Sequence, residues 1–277
     1  MKKVFLASFT FLFSLMIMGG CNTAKTSQNS GIIVRSKTIN LFNGKNLDGW
    51  YTFLQYKGKD NDPKKVFTVQ DSLLRISGEE WGCITTNEEY SNYKLIVEFK
   101  WGTQTYAPRV DKAMDNGILL HSTGLDAGSG GIWMHSIECQ IIEGGTGDFI
   151  VVGDGSEKFA LTATVSNEKQ GESHVFSPDG DTVTIHEGRI NWFGRDPQWK
   201  DAKNFRGEKD VEKPVGEWNR IECIALGNEI TIFLNGKLVN HAVNVQPSRG
   251  SIQVQSEGAE IFFRRIDLIS LNQNQLH

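Results

Sequence analysis

The segment SIECQII, residues 136–142, alternates polar and apolar side chains as a β-strand does when one of its faces is buried. Glu138 and Gln140 share one face of this strand, and Cys139 and Ile141 share the other. A carboxylate beside an amide can bind hydroxyl groups and transfer a proton. We therefore predict that Glu138 and Gln140 look into a groove, and that Cys139 and Ile141 look into the core.

Two further strand-like runs carry polar side chains that would converge with Glu138 if the strands are neighbours. YKLIVEFKW carries Lys100, and GILLHS carries His121. An ammonium and an imidazole beside a carboxylate form a set of groups that can move protons. Structural alternatives exist as well, because Glu138 and Lys100 could form an ion pair that only fixes a sheet, and His121 could be a structural histidine.

The elements that must position these residues are β-strands. Short runs rich in β-branched and aromatic residues recur from VFTVQ to AEIFFRRIDLI, separated by Gly, Asn and Asp. Two-residue turns at Gly227-Asn228 and Asn235-Gly236 predict two consecutive hairpins. We predict an all-β fold in which two antiparallel sheets pack face to face as a β-sandwich.

One long segment, residues 144–210, interrupts the rhythm of the strands with runs such as GGTGDF and SPDGD. Loops of this length inside a domain are usually functional or disordered. The aromatic residues Trp192, Phe193 and Trp199 favour order, because disordered segments are poor in aromatic residues. We predict an ordered loop insertion that walls one side of the groove.

The N-terminal sequence is typical of an export signal: Lys2 and Lys3 precede an apolar run that ends in Gly19, Gly20 and Cys21. A pair of small residues directly before Cys resembles the lipobox of bacterial lipoproteins, in which the Cys is lipidated; ordinary cleavage or an uncleaved anchor is the alternative. We predict a signal peptide over residues 1–20, a flexible tether over 21–38 and one domain over 39–277. The lipid would anchor the protein to the outer membrane. The periplasmic side is favoured over the cell surface, because the tether carries no acidic residue.

Composition argues against nucleic acid as a partner, because the net charge is −4 and the isoelectric point is near 5.9. Setting Cys21 aside leaves Cys83, Cys139 and Cys223, which show no CxxC spacing. The cysteines therefore indicate neither a zinc site nor a full disulfide framework. Cys139 and Cys223 lie in strand-like runs and are predicted to be small buried hydrophobic residues.

Five segments occur in the order and spacing of a known family. They are LFNGKNLDGW, DNGILLHS, SIECQIIE, the hairpin from WNR to ITIFLNGKLV, and GSIQVQSEGAEIFFRRI. From about Ile39 to Leu271 the chain resembles the domains described as 3-keto-disaccharide hydrolases. The resemblance implies a concanavalin A-like jelly roll in a secreted bacterial protein, and a carbohydrate as the substrate.

The resemblance also implies particular site residues. Glu138 and Gln140 match the Glu-x-Gln-Ile-x-Asp pattern of the family, in which Glu143 replaces the Asp. In its Asn-Ser-Gly-Ile-x-x-Arg pattern, Asp115 falls on the Asn, Asn116 on the Ser and His121 on the Arg. Three more residues match polar positions of the family: Lys100, Gln255 and Arg264.

Loops at the two ends of the central strand supply the remaining candidates for substrate binding. Trp133 and His135 precede the strand, where an aromatic ring could stack on a sugar or act as a hydrophobic plug. Asp148 follows the strand, with a turn-forming aspartate as the alternative. The segment LFNGKNLDGW is predicted to be structural, with Trp50 in the core.

The implied substrate suggests a specific reaction. A ketone at C3 acidifies the hydrogen at C2, so a base can remove this hydrogen and expel the C1 substituent, and water then adds to the enone. We assign Glu138 as the base, Lys100 or Arg264 to the enolate or the sugar oxygens, and His121 as an acid or a metal ligand. No cofactor is certain, and a divalent metal ion held by His121, His135 and Glu138 is a further hypothesis.

Two other functions fit the same sequence. A non-catalytic carbohydrate-binding lipoprotein needs stacking aromatic residues and neutral hydrogen-bonding groups, whereas this chain adds carboxylates, an imidazole and cations. A hydrolase on unoxidised glycans needs two carboxylates that flank the bond. Along the strand of Glu138, Gln140 and Ile142 stand where a laminarinase-type pair would continue.

The lipobox leads to a test of the anchor. Cells that express the protein in radiolabelled palmitate should incorporate label at Cys21, since one acyl-bearing terminus holds a protein at a membrane without a spanning helix. A Cys21→Ser variant should carry no label and should leave the membrane fraction. Equal labelling of both proteins would contradict the anchor, and protease added to intact cells distinguishes the two sides of the outer membrane.

Overall fold

The computed structural model describes residues 37–272, and all regular secondary structure in this range is β. The predicted signal peptide and most of the predicted tether lie outside the described residues. Within residues 37–272, no helix is long and apolar enough to span a membrane.

Nineteen strands make up the fold. They are β1 (Thr38–Asn40), β2 (Trp50–Leu54), β3 (Gly58–Lys59), β4 (Phe67–Gln70), β5 (Leu73–Ile76), β6 (Gly82–Thr86), β7 (Tyr93–Thr105), β8 (Asp115–Thr123), β9 (His135–Ile142), β10 (Phe149–Val152), β11 (Ala160–Val165), β12 (His174–Val175), β13 (Asp181–Ile185), β14 (Gly188–Asn191), β15 (Asn219–Leu226), β16 (Glu229–Leu234), β17 (Lys237–Gln246), β18 (Ser251–Ser256) and β19 (Ala259–Ser270).

The strands form two sheets. One, here called the outer sheet, runs β13-β11-β17-β16-β15-β7-β19-β5-β4, with β1 beside β19. The other, here called the groove sheet, runs β12-β14-β10-β9-β8-β18-β6-β2-β3. Among the described strands, only β12 and β14 pair in parallel. The predicted all-β sandwich of two antiparallel sheets is therefore confirmed.

Alternating side chains of both sheets build one core between them. Phe99 of β7 and Ile221 of β15 meet Ile118 of β8 and Cys139 of β9 in this core. Trp50 is also buried there, and its Nε1 donates to the carbonyl of Leu41 at 2.6 Å. Cys83, Cys139 and Cys223 are free and buried, as small hydrophobic residues would be.

The predicted hairpins are present, because Gly227-Asn228 joins β15 to β16 and Asn235-Gly236 joins β16 to β17. Asn235 and Gly236 have φ values of 50° and 80°, as a two-residue turn of this kind requires.

The segment 144–210 is not a continuous loop. It contributes β10 and β14 to one end of the groove sheet, and β11 and β13 to one end of the outer sheet. The prediction of a loop is correct only after Asn191. Among the described residues, no strand occurs between Asn191 and Asn219. The strands β10, β11 and β14 were missed because each lies between Gly-rich or polar turns, which indicate a loop.

Candidate functional site

The strand β9 presents Glu138 and Gln140 on the face of the groove sheet that is turned away from the core, here called the open face. Cys139 and Ile141 lie in the core, so the predicted register is confirmed. Glu138 is 5% exposed and Gln140 is 3% exposed, although both lie on the open face. Covering segments therefore shield this part of the open face from solvent.

Gly117 makes room for the central contact of the site. It lies opposite Gln140 in the pairing of β8 with β9, and Gln255 lies beside it on β18. A Cβ added to Gly117 would overlap Oε1 of Glu138 and Oε1 of Gln255. Both side chains therefore pass over Gly117, and only glycine allows them to converge there.

Two amide oxygens near this point remain available to a ligand. Within residues 37–272, Oε1 of Gln140 and Oε1 of Gln255 are buried without a hydrogen-bond partner. Buried polar atoms usually have a partner, because an unpaired one costs free energy. Such acceptors suit the hydroxyl groups of a bound molecule.

Three carboxyl groups meet on the open face and are here called the carboxyl cluster: Asp115 at the start of β8, Glu138 on β9, and Glu257 just after β18. Burial, together with the nearby Asp115 carboxylate, raises the pKa of Glu138 to about 8. Burial also raises the pKa of Asp115 to about 6, although its ion pair with Arg109 opposes this. The pKa of Glu257 is raised well above its usual range by burial and by both neighbouring carboxylates. At neutral pH, Glu138 and Glu257 are therefore largely protonated.

Two arginines balance the cluster: Arg189 on β14 of the groove sheet, and Arg195 in the segment after Asn191, here called the covering segment. Asp148 is fully buried and accepts from Arg189 Nη1 at 2.9 Å, from Arg195 and from the backbone N–H of Trp192 at 2.8 Å. Arg189 also lies near enough to Glu138 to lower its pKa by charge attraction. Two cations are thus held beside the carboxyl cluster by one buried carboxylate.

A cleft of about 460 Å³ opens beside these groups and is here called the arginine cleft. Its walls include Arg109, Asp115, Arg189, Arg195 and Trp199. The segment after Asn191 supplies Arg195 and Trp199, whose ring lies 4.0 Å from the guanidinium carbon of Arg195. This segment therefore does wall one side of the open face.

The sequence matches the model of the 3-keto-alpha-glucoside-1,2-lyase-like domain over residues 37–269. The chain belongs to this family. Among curated proteins, none matches the sequence.

Two solved structures are similar to this lyase-like domain. A predicted glycosyl hydrolase from Parabacteroides distasonis is 17% identical with a TM-score of 0.50, over 85% of this chain and 94% of the other. A second one from the same organism is 22% identical with a TM-score of 0.49, over 85% of this chain and all of the other. The first of these supports the fold assignment, which is a sandwich of the jelly-roll kind.

Two cations that were predicted for the site lie elsewhere in the lyase-like domain. Lys100 on β7 and Arg264 on β19 project from the outer sheet on the side away from the core, where both approach the ring of Trp218. Arg264 is paired there with Glu98 at 2.6 Å. The prediction that they share the groove is wrong, because the alternation of a strand does not tell which of two sheets it joins.

His121 was also predicted on the open face, and this placement is wrong. Its φ is 56°, and the pairing of β8 with β9 shifts between Leu120 and Thr123. This bulge turns the imidazole to the core side, 5.6 Å from the ring of Tyr93. Nδ1 donates to the carbonyl of Pro247 at 2.9 Å, and burial lowers the pKa of His121 to about 4. The ring is a neutral structural group at pH 7.

Three further candidates act within the fold. Asn116 faces the core side of β8, and its Nδ2 donates to the carbonyl of Gln255. Glu143 accepts from the backbone N–H of Met114 and of Asn204, and so anchors the covering segment. His135 lies against Phe159 with ring centroids 4.5 Å apart. None of these three, which all lie in the described range, belongs to the carboxyl cluster.

Trp133 is a plug rather than an open stacking surface. It is 9% exposed and packs on Leu119, Cys83 and Val152 of the open face. The hypothesis of a metal ion held by His121, His135 and Glu138 is not supported, because the two imidazoles lie on the other side of the sheet. Among residues 37–272, no group of three His, Cys, Asp or Glu side chains is arranged to hold a metal ion.

The sequence analysis gave Asp115 no role in the site, and it missed Glu257 and Arg189. Glu257 could have been found, because it continues the alternation of Gln253 and Gln255 in SIQVQSEG. Asp115 stands two residues before Gly117 and shares its face of β8. No local signal identifies Arg189, since it reaches the site only through the pairing of β14 with β10.

The carboxyl cluster gives the stability of the protein a specific dependence on pH. A carboxyl group whose pKa is raised in the folded state stabilises the fold fully below its unfolded value near 4.5, and this contribution is lost as the pH rises through the folded value. Stability should therefore fall between pH 5 and pH 9, and Glu138→Gln should reduce this fall by on the order of a few kcal/mol. Urea unfolding across this pH range measures it, and identical slopes for both proteins would contradict the assignment.

Proposed function

We propose that the protein cleaves 3-keto-glycosides by removing the proton at C2, eliminating the C1 substituent and hydrating the enone. The observation that carries the proposal is the buried carboxyl of Glu138, which passes over Gly117 and faces Arg189. Membership in a 3-keto-glucoside lyase-like family supports the substrate class.

Glu138 is the proposed base. A general base works best when its pKa lies near the working pH, and burial raises the pKa of Glu138 to about 8. In its ionised form Glu138 takes the hydrogen of C2, and the electrons of that bond form the enolate of the C3 ketone. The free amide oxygens of Gln140 and Gln255 accept from sugar hydroxyls and hold the ring over the carboxylate.

Arg189 is the proposed partner of the enolate oxygen. Its guanidinium lines the arginine cleft, is partly exposed, and is fixed by Asp148. A cation held in advance where negative charge develops lowers the barrier without moving during the reaction. Arg189 takes the role for which Lys100 and Arg264 were first considered.

A protonated carboxyl group completes the scheme. When the enolate collapses, the bond from C1 to the leaving oxygen breaks, and C1 and C2 become doubly bonded. Glu257, whose raised pKa keeps it neutral at pH 7, gives the leaving oxygen its proton. Water then adds through its oxygen to C1 of the enone and gives one proton to the ionised Glu257, while the proton on Glu138 returns to C2.

The lipid anchor belongs to this proposal as well. A lipid on Cys21 would keep the enzyme on the periplasmic side of the outer membrane. Its support is the N-terminal sequence alone.

Replacing the base tests the proposal. Glu138→Gln should lower kcat on a 3-keto-glucoside by about 100-fold to 10,000-fold, because glutamine has nearly the same shape but cannot accept the proton. Glu98→Gln, on the far side of the outer sheet, is the matched control and should keep full activity. Product is followed by mass spectrometry, with and without a chelator, and an unoxidised glucoside serves as the substrate control.

The outcomes separate the three functions. Binding of the 3-keto-glucoside without turnover favours a carbohydrate-binding protein, and equal turnover of the unoxidised glucoside favours an ordinary hydrolase. Full activity of a stable Glu138→Gln variant removes Glu138 from the chemistry.

Gly117→Ala tests the geometry independently of the charge. The φ of Gly117 lies outside the left-handed region, so alanine fits the backbone, and the added methyl group displaces only the ends of Glu138 and Gln255. A displacement of this size should lower kcat/KM on the order of 100-fold. Thermal unfolding should change little, and unaltered activity would contradict the convergence of the two side chains over Gly117.

A further inference from the structure

The open face continues past the carboxyl cluster to Trp81, which has no role in the proposed reaction. Ser256 pairs with Gly82, so Glu257 and Trp81 stand one residue further along neighbouring strands. The backbone N–H of Gln55 donates to the carbonyl of Trp81 at 3.0 Å and extends the same row to β2. The row Asp115, Glu257, Trp81 and Gln55 therefore crosses four strands of the groove sheet.

The ring of Trp81 is held in place yet reachable. It stacks on Trp133 with ring centroids 6.5 Å apart and planes 28° apart, and it packs on the cluster that contains Cys83 and Leu119. Trp133 is 9% exposed, whereas Trp81 is only half-buried. One tryptophan thus serves as the support, and the other presents part of an immobilised aromatic surface to solvent.

Polar groups surround this surface. A recess of about 220 Å³ is lined by Trp81, Gln55, Lys57 and Glu80, with Tyr56 at its rim. Lys57 and Glu80 are 3.4 Å apart and neutralise each other. Tyr56 is 91% exposed, so its ring is open to a ligand at this rim. An aromatic surface edged by neutral and mutually paired polar groups suits an uncharged sugar ring.

The order of these residues fits a sugar bound across the strands. The carboxyl end of Glu138 lies over Gly117, and Glu257, just after the neighbouring strand β18, lies opposite Asp115, two residues along β8 from Gly117. Trp81 is the cross-strand neighbour of Glu257. A leaving sugar that takes its proton from Glu257 therefore comes away beside Trp81.

We propose that Trp81, with Gln55, Lys57, Glu80 and Tyr56, forms the subsite for the leaving sugar, so that the enzyme prefers a substrate whose C1 substituent is an uncharged pyranose. The inference rests on the proposed function, because it takes the ring in the arginine cleft to be the oxidised one. The two ends of the groove then differ in chemistry: arginines face the ketone, and an aromatic ring faces the leaving group.

Two substrates and two variants test the subsite. The purified protein is assayed with a disaccharide oxidised at C3 of its non-reducing ring and with methyl 3-keto-glucoside, which has no second ring. Trp81→Leu keeps an apolar side chain on Trp133 but removes the aromatic surface. It should lower kcat/KM for the disaccharide by about tenfold relative to the methyl glycoside. Trp81→Phe should recover most of the loss, and Trp218→Leu on the outer sheet should change neither substrate. A Trp81→Leu variant with an unchanged ratio between the substrates overturns the subsite.

A binding measurement keeps this test separate from that of the proposed function. If the wild type turns over neither 3-keto substrate, the proposed function fails, and saturation-transfer NMR with an unoxidised glucose disaccharide examines the subsite alone. Saturation of the sugar ring by the wild type that is lost in Trp81→Leu and kept in Trp218→Leu supports the subsite without the reaction. Equal saturation by all three proteins overturns it.

Discussion

The buried carboxylate of Asp148 is the interaction on which the candidate site depends. It accepts from Arg189 on β14, from Arg195 on the covering segment and from the backbone N–H of Trp192. One residue thereby ties the covering segment to the groove sheet and aims two guanidinium groups at the arginine cleft. Without Asp148, both arginines would be partly buried without their principal counter-ion, which is costlier than exposing them. The cleft, its charge and the lowering of the Glu138 pKa by Arg189 all follow from this contact.

The carboxyl cluster shows what burial adds to this arrangement. Asp115, Glu138 and Glu257 cannot all be ionised at neutral pH, because burial raises all three pKa values and the charge of Asp115 further raises the pKa values of Glu138 and Glu257. Neutral acids and a poised base can therefore exist side by side, which a reaction that both removes and delivers a proton requires. These buried carboxyl groups lower the free energy of unfolding more as the pH rises. Stability and chemistry are consequently linked through the same protons.

The fold could be predicted from the sequence much better than the site could. Alternation in SIECQII predicted the correct faces for Glu138 and Cys139. The core can bury Cys139 and its apolar neighbours, whereas the opposite register would bury the carboxylate. Alternation fails where a bulge reverses it, as at His121, and it carries no information about which sheet a strand joins, as with Lys100 and Arg264. Glu257 and Asp115 lie on the open face by the same rule that found Glu138. Arg189 was beyond reach, because its position depends on strand pairings that no local pattern encodes.

The loop that carries Trp133 explains why the groove has a direction. Ile132 and Trp133 cover Leu119 and Val152, and so fill the open face on one side of the row that contains Glu138. The ligand path proposed above uses the other side, which begins at the arginine cleft and follows Asp115 and Glu257 toward Trp81. Because that proposed path crosses the strands, the charged groups and the aromatic ring would meet different parts of one molecule in a fixed order. The loop with Trp133 therefore shields Glu138 from water, and the ring of Trp133 packs against the ring of Trp81. It also makes the two sides of the groove different.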